Sequence, residues 1–207
     1  MNRTRTVVFI GLLAIAGAFL CWIEQPSPNG PPIDSDVVAK LGLQNGGPYA
    51  CNIALDLPPE FRQRNWGGGS CVHASTVNLL RWMGLFDLAD WWRNQYSGGE
   101  YSDRLVKRME AAGLQYAYTT ESDFGFLEWA CRTGRGAGIF YKPRHAINCV
   151  GMDSQYVYLL DNNATNYPEQ RGTYERVPID TFKSRWRGYG GFAWSLVYMP
   201  PAPVPHQ

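Results

Sequence analysis

The sequence has little net charge and no long run of basic residues. Its 207 residues include 19 lysines and arginines and 18 aspartates and glutamates, for a formal net charge of +1. Proteins that bind nucleic acid usually carry a cluster or stripe of cations. The short basic stretch from Arg185 to Arg187 lies at the end of a predicted helix, where arginines are typical of a solvated C-terminus. We therefore expect no nucleic-acid partner.

The chain also lacks internal repeats, and it is too short for two full domains. Its length suits one domain of roughly 100 to 200 residues with short extensions. Its composition, 45% hydrophobic and 14% aromatic, is rich enough to fill a core, whereas disordered chains are poor in such residues. We predict a single folded domain.

The longest apolar run lies at the N-terminus. It extends from Val7 to Ile23 behind Arg3 and Arg5, and its length falls between that of a signal-peptide core and that of a full membrane span. With the arginines retained on the inner side, the rest of the chain would lie outside the membrane. The run has no clear small-x-small cleavage site. We therefore favour an uncleaved single-pass anchor, with secretion after cleavage as the alternative.

Proline-rich segments mark both boundaries of the folded part. Residues 24–32 contain four prolines and an Asn-Gly pair, a composition typical of a spacer. The predicted organisation is an anchor or signal segment at 1–23, a spacer at 24–32, a domain at 33–199 and a proline-rich tail at 200–207.

The spacing of apolar residues divides the domain into a helical half and a strand half. Helices are predicted at about 71–82, 87–95, 102–112 and 122–132, and glycines follow the first and the last of them. After Gly138 the pattern becomes that of strands, at 139–141, 145–150, 156–160, 174–177 and 192–198, with a short helix at 180–186. Because helices precede strands without alternation, we predict an α+β fold with an antiparallel sheet.

Cys71 is the candidate nucleophile. It lies on the first turn of a predicted helix behind Ser70, the expected N-cap, and the three glycines 67–69. A helix N-terminus stabilises a thiolate, and glycine lets the backbone approach a substrate carbonyl closely. A cysteine on an apolar helix is more often structural, so the assignment depends on its context.

The context is a resemblance to papain-like cysteine proteases. In that family an amide side chain lies six residues before the cysteine, and Asn65 has this spacing from Cys71. The resemblance implies that Asn65 and the backbone N–H of Cys71 form an oxyanion hole. The family normally has glutamine at this position, so the side chain here is one methylene shorter, and Gln63 is the alternative donor. The family's cysteine before Gly-Ser-Cys is Gly68 here, and its aromatic residue after the nucleophile is Val72.

A second segment resembles the same family more closely. The stretch from His145 to Asp153, followed by Tyr156 to Asp161, is similar to the family's histidine strand, turn and second strand ending in Asn or Asp. The resemblance implies that Asp161 orients His145 and stabilises its cation. It also implies that His145 takes the thiol proton and later donates a proton to the leaving amine.

Two details of this triad stay open in the sequence. Asn162 competes with Asp161 for the orienting role, because a shift of one residue at the strand end would exchange the two side chains. The tryptophan that usually follows the orienting residue in the family is missing. Trp186 or Trp194 is the alternative shield.

The interval of 74 residues between Cys71 and His145 is much shorter than in papain and cathepsins. This favours a compact bacterial branch, one that resembles the leader-peptide-processing, C39-like domains of bacteriocin exporters. The segment 177–186, with Phe182 and Trp186, is similar to the short helix that follows the catalytic strands there. The resemblance implies a papain-like fold with a central nucleophile helix against a C-terminal antiparallel sheet. It further implies cleavage of peptide or protein substrates through a thioester, without a cofactor.

Three other functions fit parts of the sequence. A zinc site could use Cys71, His73, His145 and Asp161, but residues two apart on a helix point to different sides, so no metal is expected. The missing glutamine favours an inactive papain-like binding module, which the complete Cys-His-Asp set disfavours. An acyl transferase or transpeptidase would use the same thioester chemistry with an amine as acceptor.

An exported domain could carry disulfides. Besides Cys71, the cysteines beyond the N-terminal segment are Cys51, Cys131 and Cys149. If Cys71 stays a free thiol, a Cys51 to Cys131 bridge is the simplest pairing, with Cys149 buried in an apolar strand. The sequence leaves the connectivity open.

Overall fold

The structure is a computed structural model that describes residues 57–65, 70–163 and 174–198. The predicted N-terminal segment, spacer and C-terminal tail, together with Cys51 and the glycines 67–69, lie outside these residues. Within the described ranges, none of the helices combines the length and the apolar character that a membrane crossing requires.

In the described residues, four helices precede most of the sheet. A short 3-10 turn at Pro59–Phe61 precedes helices α1 (Cys71–Trp82), α2 (Phe86–Gln95), α3 (Ser102–Ala111) and α4 (Phe124–Arg132). Their bounds agree with the predicted ones to within two residues. Gly84 and Gly134 adopt φ values of 73° and 72°, the left-handed conformation in which glycine commonly ends a helix.

Six strands form one sheet in the order β1-β6-β2-β3-β4-β5, and every neighbouring pair is antiparallel. The strands are β1 (Tyr116–Thr119), β2 (Ala137–Lys142), β3 (His145–Met152), β4 (Tyr156–Leu160), β5 (Glu175–Pro178) and β6 (Ala193–Leu196). Helix α5 (Ile179–Gly188) lies between β5 and β6. The predicted α+β class with an antiparallel sheet is confirmed. Strand β1 was not predicted; it pairs with β6 at the edge of the sheet.

The sheet separates two apolar clusters. One contains residues of α1, α2 and α3 together with Ala146 and Val150 of β3. The other contains residues of α4 and α5 together with Ile147 and Cys149 of the same strand. Residues of β3 thus contribute to both clusters, as expected when successive side chains point to opposite faces. This burial on both sides makes β3 the central strand of the core.

Helix α1 lies between α2 and the sheet, where it contacts β2, β3 and β6. Its first ten residues, Cys71 to Leu80, are all buried. A helix buried on every side must place its polar residues against polar partners. In α1 this applies to Asn78, whose amide donates to Asn148 Oδ1 on β3 at 3.1 Å. The predicted central position of the nucleophile helix is therefore confirmed.

The two candidate shielding tryptophans lie on opposite faces of the sheet. Trp194 belongs to the apolar cluster that contains Cys71, and its ring lies so close to Gly138 that a Cβ there would be 2.2 Å from it. Trp186 belongs to the other cluster, where its indole N–H donates to the Phe192 carbonyl at 3.1 Å. Of the two, only Trp194 shares the face of the sheet on which Cys71 lies.

Candidate active site

Three of the predicted site residues meet at the start of α1. Cys71 is the first residue of α1, His145 is the first residue of β3, and Asp161 directly follows β4. Nε2 of His145 lies 2.8 Å from Oδ1 of Asp161, and the His145 side chain is also hydrogen-bonded to the Cys71 thiol. Because Nε2 faces the carboxylate, Nδ1 is the ring nitrogen that remains for the thiol.

The sheet register explains why these residues meet. Strands β3 and β4 are antiparallel neighbours, with Asn148 opposite Leu160. The residue that follows β4 therefore comes beside the beginning of β3, which places Asp161 next to His145. Helix α1 lies against the same strand, and the backbone N–H of Ala146 donates to Cys71 Sγ at 3.3 Å.

The surroundings of Cys71 favour its thiolate. Burial raises the pKa of the thiol, but hydrogen bonds from His145 and from the backbone N–H of Ala146 outweigh this effect. The charge of His145 and the backbone N–H of Val72 lower the pKa further, and the net pKa is below the ordinary value. Cys71 is buried, with 4% of its surface exposed, so these few donors set its protonation.

His145 and Asp161 complete a chain of opposite charges. Burial lowers the pKa of His145, but the hydrogen bonds with Asp161 and Cys71 raise it to about 9. Burial raises the pKa of Asp161, yet hydrogen bonds from His145 and Lys142 hold it well below its usual range. The same hydrogen bond therefore favours the Cys71 thiolate and the His145 imidazolium together.

Asp161, and not Asn162, contacts the imidazole. Asn162 is completely buried, and its Nδ2 lies 3.1 Å from the Cys71 carbonyl, 3.1 Å from Ser75 Oγ and 2.9 Å from the Ala146 carbonyl. The two side chains thus have separate roles. Asp161 faces His145, whereas Asn162 joins the start of α1 to the start of β3.

Asn65 lies beside the start of α1. Its Oδ1 accepts a hydrogen bond from Ser70 Oγ at 2.7 Å, and its Nδ2 donates to Asn163 Oδ1 at 2.9 Å. Ser70 precedes α1 as predicted, but its hydroxyl makes no capping hydrogen bond. Gln63, the alternative oxyanion donor, is buried and its amide donates to the adjacent Arg64 carbonyl at 3.1 Å. Asn65 is therefore the amide side chain tied to the turn around Cys71.

Comparisons with known proteins give the fold. No family model matches the sequence, and no curated protein matches it either. A solved structure from Bacillus anthracis, described as a C39-like peptidase, superposes with a TM-score of 0.54 at 15% identity, covering 70% of this chain and 96% of that one. The chain has a C39-like peptidase fold.

A second solved structure is also similar. It is a double-glycine-motif protease from an AMS/PCAT transporter in complex with the leader peptide, with a TM-score of 0.45 and 16% identity, covering 64% of this chain and 89% of that one. At such identities a likeness concerns the fold alone. The structure from Bacillus anthracis confirms the predicted C39-like resemblance at the level of the fold.

Sequence reasoning missed one charged residue of the site in this C39-like fold. Lys142, at the end of β2, places Nζ 2.7 Å from Asp161 Oδ2, the carboxylate oxygen that does not face His145. The same Nζ lies 3.6 Å from Glu175 Oε2. The signal that could have found it is the tight turn between β2 and β3, since Lys142 pairs with His145 across that turn.

His73 belongs to a different environment from Cys71. Its ring stacks on Tyr96 at 5.8 Å between centroids, and Nε2 lies 3.8 Å from Glu100 Oε1. Burial, followed by the charges of Arg108 and Arg93, lowers its pKa to about 4. The alternative zinc set therefore does not converge. In the described ranges, no group of three or more His, Cys, Asp or Glu side chains is arranged to hold a metal.

The other described cysteines lie on the far side of the sheet. Cys131 of α4 and Cys149 of β3 are buried free thiols with their sulfurs 3.8 Å apart. The predicted burial of Cys149 in an apolar strand is confirmed. The predicted Cys51 to Cys131 bridge is wrong, because Cys131 is a free thiol. Sequence spacing does not reveal that α4 lies against β3, which is the contact that brings Cys131 to Cys149.

Proposed function

We propose that this protein is a cysteine peptidase that cleaves amide bonds with Cys71 as nucleophile, His145 as acid and base, and Asp161 as the group that orients His145. The hydrogen-bonded chain of these three side chains carries the proposal. The C39-like fold supports it, and so does the position of Cys71 at the N-terminus of helix α1.

The first half of the reaction is acyl transfer to sulfur. The Cys71 thiolate attacks the carbonyl carbon of a peptide bond, and the carbonyl oxygen gains negative charge. The backbone N–H of Cys71 and the side-chain amide of Asn65 stabilise this oxyanion. When the C–N bond breaks, the His145 imidazolium donates its proton to the leaving amine. The product is a thioester between Cys71 and the acyl part of the substrate.

The second half is hydrolysis of the thioester. Neutral His145 takes a proton from a water molecule, whose oxygen attacks the thioester carbonyl. The C–S bond breaks, a carboxylic acid leaves, and Cys71 and His145 return to the thiolate and imidazolium pair. Asp161 keeps the imidazole in position and stabilises its charge in both halves.

The role of Asn65 is supported by its fixed position. Ser70 and Asn163 bind its amide from two sides, and its backbone N–H donates to the Asn162 carbonyl at 3.2 Å. These bonds connect Asn65 to the residues that flank Cys71 and Asp161. A side chain shorter than glutamine is compatible with an oxyanion hole when Asn65 is bound this closely to Ser70 and Asn162.

The proposed substrate is a peptide or protein outside the cytoplasm. This part rests on the sequence alone, through the apolar segment 7–23 behind two arginines. Fractionation of cells that express the full-length chain, followed by protease treatment of intact cells, tests it. Protection of the domain from external protease in intact cells, with digestion after lysis, would contradict the external location.

The test of catalysis is covalent labelling of the purified full-length protein in mild detergent. A thiol-directed peptide-like inhibitor is added to the wild type, to Cys71→Ala and to His145→Ala, and adducts are measured by intact mass and peptide mapping. We expect one adduct on the wild type, none at this position in Cys71→Ala, and a much slower reaction in His145→Ala. Absent or His145-independent labelling of folded protein would favour a binding module.

Product analysis separates hydrolysis from transfer. A peptide library is digested with and without an added amine, and the new termini are identified by mass. Free carboxyl termini in both samples indicate a peptidase. Products that form only with the amine, and contain it, would assign an acyl transferase in place of a hydrolase.

A further inference from the structure

We propose that Lys142 is a positioning residue of the triad, whose ammonium holds the Asp161 carboxylate in the orientation that His145 requires. The inference rests on the proposed function, because it assigns Lys142 a role through Asp161 and His145. Lys142 does not face the Cys71 thiol in this scheme and is not a catalytic residue.

The carboxylate of Asp161 is held on both of its oxygens. Oδ1 lies 2.8 Å from His145 Nε2 and accepts a hydrogen bond from the backbone N–H of Asn163 at 2.8 Å. Oδ2 accepts a charge-assisted hydrogen bond from Lys142 Nζ at 2.7 Å. A carboxylate bound at one oxygen can still rotate about its last side-chain bond. One bound at both oxygens keeps its plane, and with it the direction in which it meets the imidazole.

The backbone of β2 departs from regular strand geometry next to Lys142. The register between β2 and β3 shifts between Phe140 and Lys142, and such bulges change the direction of a side chain. The turn that follows contains Arg144 with φ of 53°, a left-handed conformation that costs free energy in a residue other than glycine. Together they place Lys142 opposite His145 at the edge of the site.

Glu175 of β5 is the competing acid for Lys142. Its Oε2 is 3.6 Å from Nζ, beyond a good hydrogen bond, whereas Asp161 Oδ2 is at 2.7 Å. The side chain of Glu175 is 39% exposed and that of Asp161 is 16% exposed. The shorter contact with the less exposed acid is the stronger one. Lys142 is therefore directed mainly towards the triad.

The charged groups around His145 come from four parts of the fold. Cys71 of α1 and Asp161 after β4 act on His145 directly, whereas Lys142 of β2 and Glu175 of β5 are linked to it through Asp161. Lys142 opposes the effect of Asp161 on His145, because a cation on the carboxylate offsets part of its negative charge. It thus fixes the position of Asp161 and at the same time limits how strongly His145 retains its proton. A lysine with only a structural role would leave the proton affinity of His145 and the orientation of Asp161 unchanged.

The experiment titrates the His145 imidazole directly. The chain has 3 histidines, so nitrogen-detected NMR of labelled full-length protein can assign His145 by comparison with His145→Ala. The variants are Lys142→Met, Lys142→Arg and, as a matched control, Lys107→Met on the exposed surface of α3. Circular dichroism checks that each variant is folded.

We expect Lys142→Met to raise the pKa of His145 by about 0.5, a figure reduced from the unscreened Coulomb value because Lys142 is partly exposed. Labelling of Cys71 at neutral pH should slow by about threefold or more, because Asp161 loses one anchor. Lys142→Arg should keep the His145 pKa and restore most of the labelling rate. Lys107→Met should match the wild type in both measurements.

Two results separate failure of this inference from failure of the proposed function. If Cys71 of the wild type is not labelled faster than an ordinary thiol, the proposed function fails whatever Lys142 does. If the wild type is labelled rapidly, and folded Lys142→Met has the same His145 pKa and labelling rate, the positioning role is overturned. If Lys142→Met does not fold, the same comparison is made with Lys142→Gln.

Discussion

Cys71 and Cys131 are both buried thiols, with exposed fractions of 4% and 8%, but their surroundings change the thiol pKa in opposite directions. The pKa of Cys131 is raised well above its usual value by the hydrogen bond with Cys149 and by burial. Burial also acts against the Cys71 thiolate, but His145 and backbone N–H groups outweigh it. Burial therefore does not make a cysteine inert; the donors around the sulfur decide.

The position of each thiol in the fold explains the difference. Cys71 lies at the start of a helix, where the first backbone N–H groups have no hydrogen-bond partner within the helix. Cys131 lies in the last turn of α4, where a helix leaves carbonyl groups and not N–H groups unpaired, and its neighbour Cys149 lies inside β3, where the backbone groups are used by the sheet. Strand β3 thus contributes to both environments, since His145 begins it and Cys149 occupies its interior. The first residue of β3 thus belongs to the candidate active site, whereas its interior residues pack in the apolar core.

Of the changes considered, replacing His145 by alanine should reduce the difference between the Cys71 and Cys131 thiols the most. Without the imidazole, Cys71 loses its main donor and its proton acceptor, and labelling at pH 7 should slow by about 100-fold or more. The measurement is the time course of adduct formation by intact mass. Equal labelling rates of Cys71 in the wild type and in His145→Ala would show that His145 is not what distinguishes Cys71 from Cys131.

Replacing Asn162 by alanine should destabilise the fold around Cys71. The change removes a buried donor from three oxygens, and unpaired buried acceptors cost about 1 to 3 kcal/mol. Urea unfolding measures the loss. The control is Asn94→Ala on the exposed surface of α2, which should change the free energy of unfolding by about 0.5 kcal/mol or less. Equal losses in the two variants would contradict the joining role of Asn162.

The stability of the protein should depend on pH through His145. Its pKa in the folded state is about 9, above its ordinary value of about 6.5 in an unfolded chain. A raised folded pKa gives a stabilisation that is fully present below about pH 6.5 and lost as the pH rises through about 9. The Cys71 thiol, whose folded pKa is lowered, acts in the opposite direction over the same range, so the comparison is made in Cys71→Ala. Between pH 6.5 and 9.5 the free energy of unfolding should fall more in Cys71→Ala than in the Cys71→Ala, His145→Gln double variant. Parallel curves would contradict this linkage.

Replacing Cys149 by alanine should have the smallest effect on chemistry. The loss of one buried sulfur costs about 1 kcal/mol of stability, measured by urea unfolding. Because Cys149 lies on the opposite face of the sheet from Cys71, the Cys71 labelling rate should stay within about twofold of the wild type. A larger change would show that the two environments are coupled through β3.

The parts of the site that follow from local chain geometry could be predicted. The hairpin of β3 and β4 is such a part, but the pairing of His145 with Asp161 within it was predicted from the family resemblance, because a register shift in β3 breaks the simple alternation. The pairing of Cys71 with His145 joins distant segments, and its prediction needed the family resemblance. Strand β1 was missed because it is short, lies at the sheet edge and has no clear alternation of buried residues.

The contacts that were missed depend on tertiary geometry. Lys142 reaches Asp161 across the start of β3 after a register shift that no residue pattern announces. Asn162 contacts oxygens of both α1 and β3. The sequence does not indicate which acceptors its amide binds. Such polar contacts depend on sub-ångström packing, whereas apolar periodicity depends only on the side-chain period.

The amide of Asn162 also makes the reactivity of Cys71 a measure of completed folding. Asn162 binds the Cys71 carbonyl across 91 positions of the chain, and the same amide binds the carbonyl next to His145. During refolding, rapid labelling of Cys71 should therefore appear only once α1 and β3 have been joined, so that a chain without this contact is protected from its own chemistry.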